Sequence, residues 1–148
     1  MQTGTIRFLD YWLGVPLCAM LTAIRAVRPT RRRPPQRILF LKFIEQGATV
    51  LAQDAIARAA DRVGRDNLFF CVFDSNRAIL DVLDVIPPAN VIAIRDRRLH
   101  TFAWDFVRAL LTTRSRGVDT IIDMEFFSRA SAIFAFLSGA TTRDRKST

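Results

Sequence analysis

The chain has 148 residues, half of them apolar, and a formal charge of +8. That length makes one domain, long enough to bury about two-thirds of its unfolded surface, and that apolar share excludes a disordered chain. The charge is confined to the ends. Arg7, Arg25, Arg28, Arg31, Arg32, Arg33 and Arg37 against Asp10 leave +6 in the first 37 residues, whereas residues 38–140 hold 12 basic and 12 acidic side chains. A neutral body lacks the basic folded face that nucleic-acid recognition needs, so no nucleic-acid partner is expected.

The N-terminal stretch Phe8–Val27 reads FLDYWLGVPLCAMLTAIRAV and runs into RPTRRRPPQR. Its uncharged part, Tyr11–Ile24, has 14 residues, against the roughly 20 a spanning helix requires. Gly14 and Pro16 interrupt it. A signal peptide fits poorly, because Asp10 is misplaced and no small-x-small cleavage site precedes Arg25. A helix packed on the domain and an interfacial anchor remain. The anchor is favoured, since Tyr11 and Trp12 suit the headgroup level and the Arg31–Arg33 cluster follows. Residues 1–28 are therefore expected to associate with a membrane surface, and 29–36, with Pro29, Pro34, Pro35 and the three arginines, to act as a linker.

Residues 37–140 alternate between strand and helix patterns. Ile38–Phe43 leads into Ala48–Val63, and Leu68–Phe73 into Ser75–Leu83 with Ser75 as N-cap. Pro87 and Pro88 then stop the helix. Val91–Ile94 leads through the basic loop Arg95–Arg98 into Thr101–Leu111, and Val118–Ile122 leads into Phe126–Leu137, closed by Gly139. Alternation of this kind predicts an α/β fold, a Rossmann-like parallel sheet with helices on both faces. The expected strand order 3-2-1-4 places the switch point, where ligands bind, between the first and fourth strands. Residues 141–148 read as a polar tail.

Candidate chemistry gathers at the turns after those two strands. Glu45, Gln46 and Gly47 lie in the first turn; Asp123 and Glu125 follow the fourth strand. Paired carboxylates can divide into acid and base, although carboxylates at helix starts also serve as caps or complement the helix dipole. Arg129, one turn into the last helix, suits a phosphate or carboxylate, or else a solvated face. Lys42 ends a buried strand, where an ammonium is unusual unless its tip reaches the ligand crevice. No G-x-G-x-x-G or P-loop motif follows a strand, and no ligand cluster for a metal is present. Cys18 and Cys71 stand apart, as buried hydrophobes rather than a disulfide or zinc pair, and the lone His100 reads as a surface residue at a helix start.

RILFLKFIEQGATVLAQDAI resembles the opening of glycosyltransferase family nine, the lipopolysaccharide heptosyltransferase-like enzymes, in which an apolar strand ending in Lys meets a Gly-Asp turn and a helix. VDTIIDMEFFSRASAIFAFLSGA resembles that family's fourth strand and helix. Lys42, Gly47, Asp123 and Arg129 fall on matching positions. The resemblance implies the acceptor-holding N-terminal half of a two-domain GT-B enzyme with no metal or other cofactor. Nucleotide sugar would then bind only through a C-terminal domain not found in these residues, so this chain reads as a truncated product or fragment, inactive alone. One departure matters: the family's catalytic Asp after the turn glycine is Ala48 here, which leaves Glu45 as the nearest general base. The implied acceptor is a glycan or lipid-linked sugar, and the expected location is the inner face of the cytoplasmic membrane. The competing expectation is a non-catalytic, membrane-docked α/β module that binds a partner or a small anion.

Overall fold

A computed structural model describes residues 34–43, 52–125, 129–140 and 142–145. The N-terminal segment, including Cys18 and the Arg31–Arg33 cluster, lies outside the described residues, as do Glu45, Gln46, Gly47 and Ala48. In chain order the elements are β1 (Ile38–Leu41), α1 (Gln53–Val63), β2 (Leu68–Phe73), α2 (Ala78–Leu83), β3 (Val91–Ile94), α3 (Leu99–Ser115), β4 (Thr120–Asp123), α4 (Arg129–Leu137) and β5 (Thr142–Arg145). All pairings are parallel, in the order β3-β2-β1-β4-β5.

The order 3-2-1-4 expected from the sequence is present. A fifth strand extends it: Thr142–Arg145, read as part of a polar tail, pairs along β4 with Thr120 opposite Thr142 and Asp123 opposite Arg145. A stretch reading TRDR offers no apolar periodicity to betray a strand. Backbone pairing makes it one, and charged residues are what a sheet border tolerates best.

Side chains of the strands alternate between two cores. Leu39, Leu41, Phe69, Cys71, Ile94 and Ile121 face α3 and α4, where Ala109, Phe134 and Ala135 complete the packing. Ile38, Phe40, Leu68, Phe70 and Val72 face the other way, onto Ile56 and Ala59 of α1 and Leu80 of α2. A parallel sheet covered on both faces must be apolar at both parities, which is why β1 and β2 read as unbroken hydrophobic runs.

Several boundaries differ from the sequence pattern. Val118 and Asp119 precede β4 rather than belong to it. The Asp119 carboxylate instead accepts the Gln36 and Arg37 backbone N–H groups at 3.0 and 3.1 Å, which fixes where β1 starts. Ser75 does not cap α2. Its hydroxyl donates to Asp96 Oδ2 at 3.1 Å, and the helix begins three residues later behind a 3₁₀ turn, Asp74–Asn76. α3 outruns its expected span at both ends. It starts at Leu99 with no side-chain cap, and it runs on through Thr113, whose hydroxyl bonds back to Ala109 O at 2.8 Å. His100 is exposed near the start of this helix, and Cys71 is fully buried, its thiol pKa pushed up by desolvation.

Candidate functional site at the carboxyl end of the sheet

β1 lies between β2 and β4, and its successor in sequence crosses to β2 while β4 sits on the other side. The chain therefore leaves β1 and β4 in opposite directions, opening the switch-point crevice above their carboxyl ends. Leu41 and Asp123 are register partners, so the residues just beyond them meet.

Lys42, Asp123 and Glu125 are brought together there. Lys42 Nζ donates to Met124 O at 3.1 Å and stands 3.8 Å from Glu125 Oε2. Glu125 Oε1 accepts the Phe43 backbone N–H at 2.6 Å, so one carboxylate holds both the ammonium and the main chain of the first turn. Asp123 Oδ1 accepts the Glu125 N–H at 3.0 Å, closing a tight Asx-type turn, while its Oδ2 accepts from Ser131 Oγ in α4 at 2.9 Å. From the β2 side, Asn76 Nδ2 donates to Phe43 O at 2.6 Å. Phe43 stacks on Phe73 with centroids 4.9 Å apart.

These charged groups are buried: Lys42 is 2% exposed, Asp123 5% and Glu125 6%. An ion pair removed from water survives only when hydrogen bonds satisfy its remaining lone pairs and protons. The bonds to Met124 O and from Phe43 N–H supply that here. The lysine expected to reach a ligand crevice is thus turned toward β4, where it ties one turn to the other. Asp123 does likewise between β4 and α4. Arg129 is placed at the start of α4, above the same end of the sheet. Glu45, Gln46 and Gly47 follow Phe43 after Ile44, outside the described residues.

Asn76, Ser131 and Phe43 were not singled out by the sequence. Ser131 lies eight residues beyond Asp123 in an apolar helix, a spacing with no motif behind it. The position of Asn76 three residues after the end of β2, in a turn that opens on the same edge of the sheet, is the signal that could have found it.

A second carboxylate clamp closes the neighbouring turn. Arg95 meets Asp105 bidentately, Nε to Oδ2 at 2.7 Å and Nη2 to Oδ1 at 2.9 Å, and its backbone N–H reaches Oδ2 at 3.1 Å. Hydrogen bonding to Arg95 lowers the Asp105 pKa from the ordinary 3.8 to about 2 and raises that of Arg95. Among the described residues no group of three or more His, Cys, Asp or Glu is arranged to hold a metal, and no helix is long and apolar enough to cross a membrane.

The fold and this crevice define a Rossmann-like α/β domain with a switch point between β1 and β4. Among solved structures it is similar to a glycosyl transferase family 9 protein from Veillonella parvula DSM 2008, with a TM-score of 0.58 at 11% sequence identity. The match covers 79% of this chain and 38% of that one. At that identity the likeness is one of fold. Neither a protein-family model nor a curated protein sequence matches the chain.

Proposed function

We propose that this chain is the acceptor-side part of a glycosyltransferase resembling family nine, which moves a sugar from a nucleotide-sugar donor to a cell-envelope glycan or lipopolysaccharide-type acceptor. The observation that carries this reading is the tying of the β1 and β4 turns through Lys42, Glu125 and Asp123 at the switch point of a sheet like that of a family 9 transferase. Lys42, Asp123 and Glu125 form the floor of the acceptor crevice and hold its two walls in register. Gln46 and Gly47 contribute to acceptor binding, and Arg129 binds a phosphate or carboxylate of the acceptor. Glu45 takes the proton of the acceptor hydroxyl as it attacks the donor sugar, and the nucleoside diphosphate departs. Donor binding falls to a second domain, and this part alone does not turn over. Residues 8–27 keep the protein at the inner face of the cytoplasmic membrane, where a lipid-linked acceptor resides.

The burial of Lys42 and Glu125 also favours a second reading, a non-catalytic membrane-docked module in which these groups are purely structural and the crevice takes a partner or small anion. The two separate in a polypeptide that carries the donor half as well. Glu45→Gln then lowers turnover about a hundredfold or more, as loss of a general base does. Arg129→Ala raises the KM for acceptor with kcat little changed. Near-normal turnover in Glu45→Gln removes that residue from the mechanism, and absence of any transfer by the parent polypeptide supports the second reading.

A further inference from the structure

α3 is apolar on two sides. Its inner side packs Phe102, Phe106, Ala109 and Leu110 against the sheet and α4. Its outer side leaves Trp104 69%, Val107 51% and Leu111 60% exposed. Trp104, Val107 and Leu111 follow the i, i+3, i+7 spacing of a single helical stripe, with exposed Ala103 beside them. A helix that is apolar on two opposite sides calls for a cover on the second. Large apolar residues in one contiguous stripe mark an interaction surface, whereas scattered ones do not.

The charges around the stripe indicate what covers it. Arg97 and Arg98 stand exposed before the helix, and Arg108 beside Val107. The carboxylate of the helix, Asp105, points inward and is neutralised by Arg95. The outer face is therefore apolar along its middle, cationic at its rims and without an exposed acid on the helix. Its 17 residues present a strip about 25 Å long. A tryptophan among aliphatic side chains, ringed by arginines, matches the headgroup boundary of an anionic bilayer: the indole sits at the interface, the aliphatic groups enter the acyl boundary and the guanidinium groups meet lipid phosphates.

We propose that the outer face of α3 lies in the interface of an anionic lipid bilayer, a contact surface separate from residues 8–27 and independent of any glycosyl transfer. Trp104 reports on it directly. The chain has two tryptophans, so Trp12→Phe in the full chain leaves Trp104 as the single indole. With vesicles of phosphatidylglycerol and phosphatidylcholine, Trp104 emission shifts to the blue and is quenched when the acyl chains are brominated. With phosphatidylcholine alone it does neither. The charge-removing variant Arg97→Gln, Arg98→Gln, Arg108→Gln weakens partition of this face about a hundredfold, at roughly 1 kcal/mol for each arginine near the surface. Trp104→Ser with Leu111→Ser keeps the circular dichroism and melting temperature of the parent, because both side chains are exposed, and loses the α3 contribution to vesicle affinity. Trp104 emission unchanged by anionic vesicles overturns the proposal, even where the chain sediments with them through its N-terminal segment. Emission already blue-shifted and shielded from acrylamide without lipid overturns it too. A dimeric mass by light scattering would then identify a second copy as the cover, and a monomeric mass a segment of the chain itself.

Discussion

Glu125 does two jobs with one side chain. It accepts the Phe43 N–H and faces the Lys42 ammonium, both in a buried setting. Glu125→Ala removes the acceptor and leaves a buried ammonium short of its carboxylate, which costs about 3–5 kcal/mol. Adding Lys42→Met to that variant recovers part of the loss, since an apolar pair replaces an incomplete ionic one. Urea unfolding of the two single variants and the double variant measures the coupling; additive losses would contradict the pairing. Asp105 gives the pH signature. Its pKa lies near 2 in the fold against about 3.8 unfolded, so the unfolded chain binds the proton more readily and stability rises with pH across that window. The margin of the parent over Asp105→Asn is expected to be full above about pH 4 and to shrink as the pH falls toward 2. At neutral pH it is small, because the Arg95 side chain is 57% exposed and the pair is screened by solvent. A margin constant from pH 5 to pH 2 would refute the ion-pair account.

The helices show how ends are settled without standard caps. In neither α1 nor α3 does the N-cap side chain bond to the first-turn N–H groups. α4 ends through Gly139 at φ +80°, and Arg114 of α3 donates to Leu137 O at 2.6 Å and Ser138 O at 3.3 Å, which joins the two helices at that end. A Cβ at Gly139 would meet Arg114 Nε at 3.9 Å, an ordinary contact, so the cost of Gly139→Ala comes from the left-handed backbone alone. That cost is about 1–2 kcal/mol, read from the shift of the urea midpoint, and no loss at all would mean the backbone there relaxes freely. Gly139 was legible in the sequence as a stop after an apolar helix. The Arg114 tie was not, because it depends on α3 continuing past Leu111 through Thr112 and Thr113, residues that weaken a helix in isolation.

At the scale of the molecule, the order of four strands could be read from the sequence because each buried run is short, apolar and followed by a helical pattern. Right-handed crossovers then leave few topologies. β5 could not, since nothing in TRDR marks a strand until β4 offers it a partner. The switch point followed from the order, and with it the expectation that carboxylates of the first and fourth turns converge; that Lys42 pairs with Glu125 there did not. Their burial did not follow, because the sequence shows which residues end strands and not how tightly two neighbouring turns close over them. Ser131 and Asn76 escaped for the same reason: each acts across the fold on a main-chain or carboxylate group that only the sheet brings near.

The central claim is that the crevice above β1 and β4 takes a sugar acceptor, while donor recognition resides elsewhere. Titration of the isotope-labelled chain, followed by amide NMR, tests it without requiring turnover. A phosphorylated lipopolysaccharide core oligosaccharide is expected to shift the amides of Lys42, Phe43 and Asp123–Glu125 and the first turn of α4, and UDP- or ADP-linked sugars to leave them in place. Shifts confined to other surfaces, or a response to the nucleotide sugars and not to the oligosaccharide, would contradict the assignment.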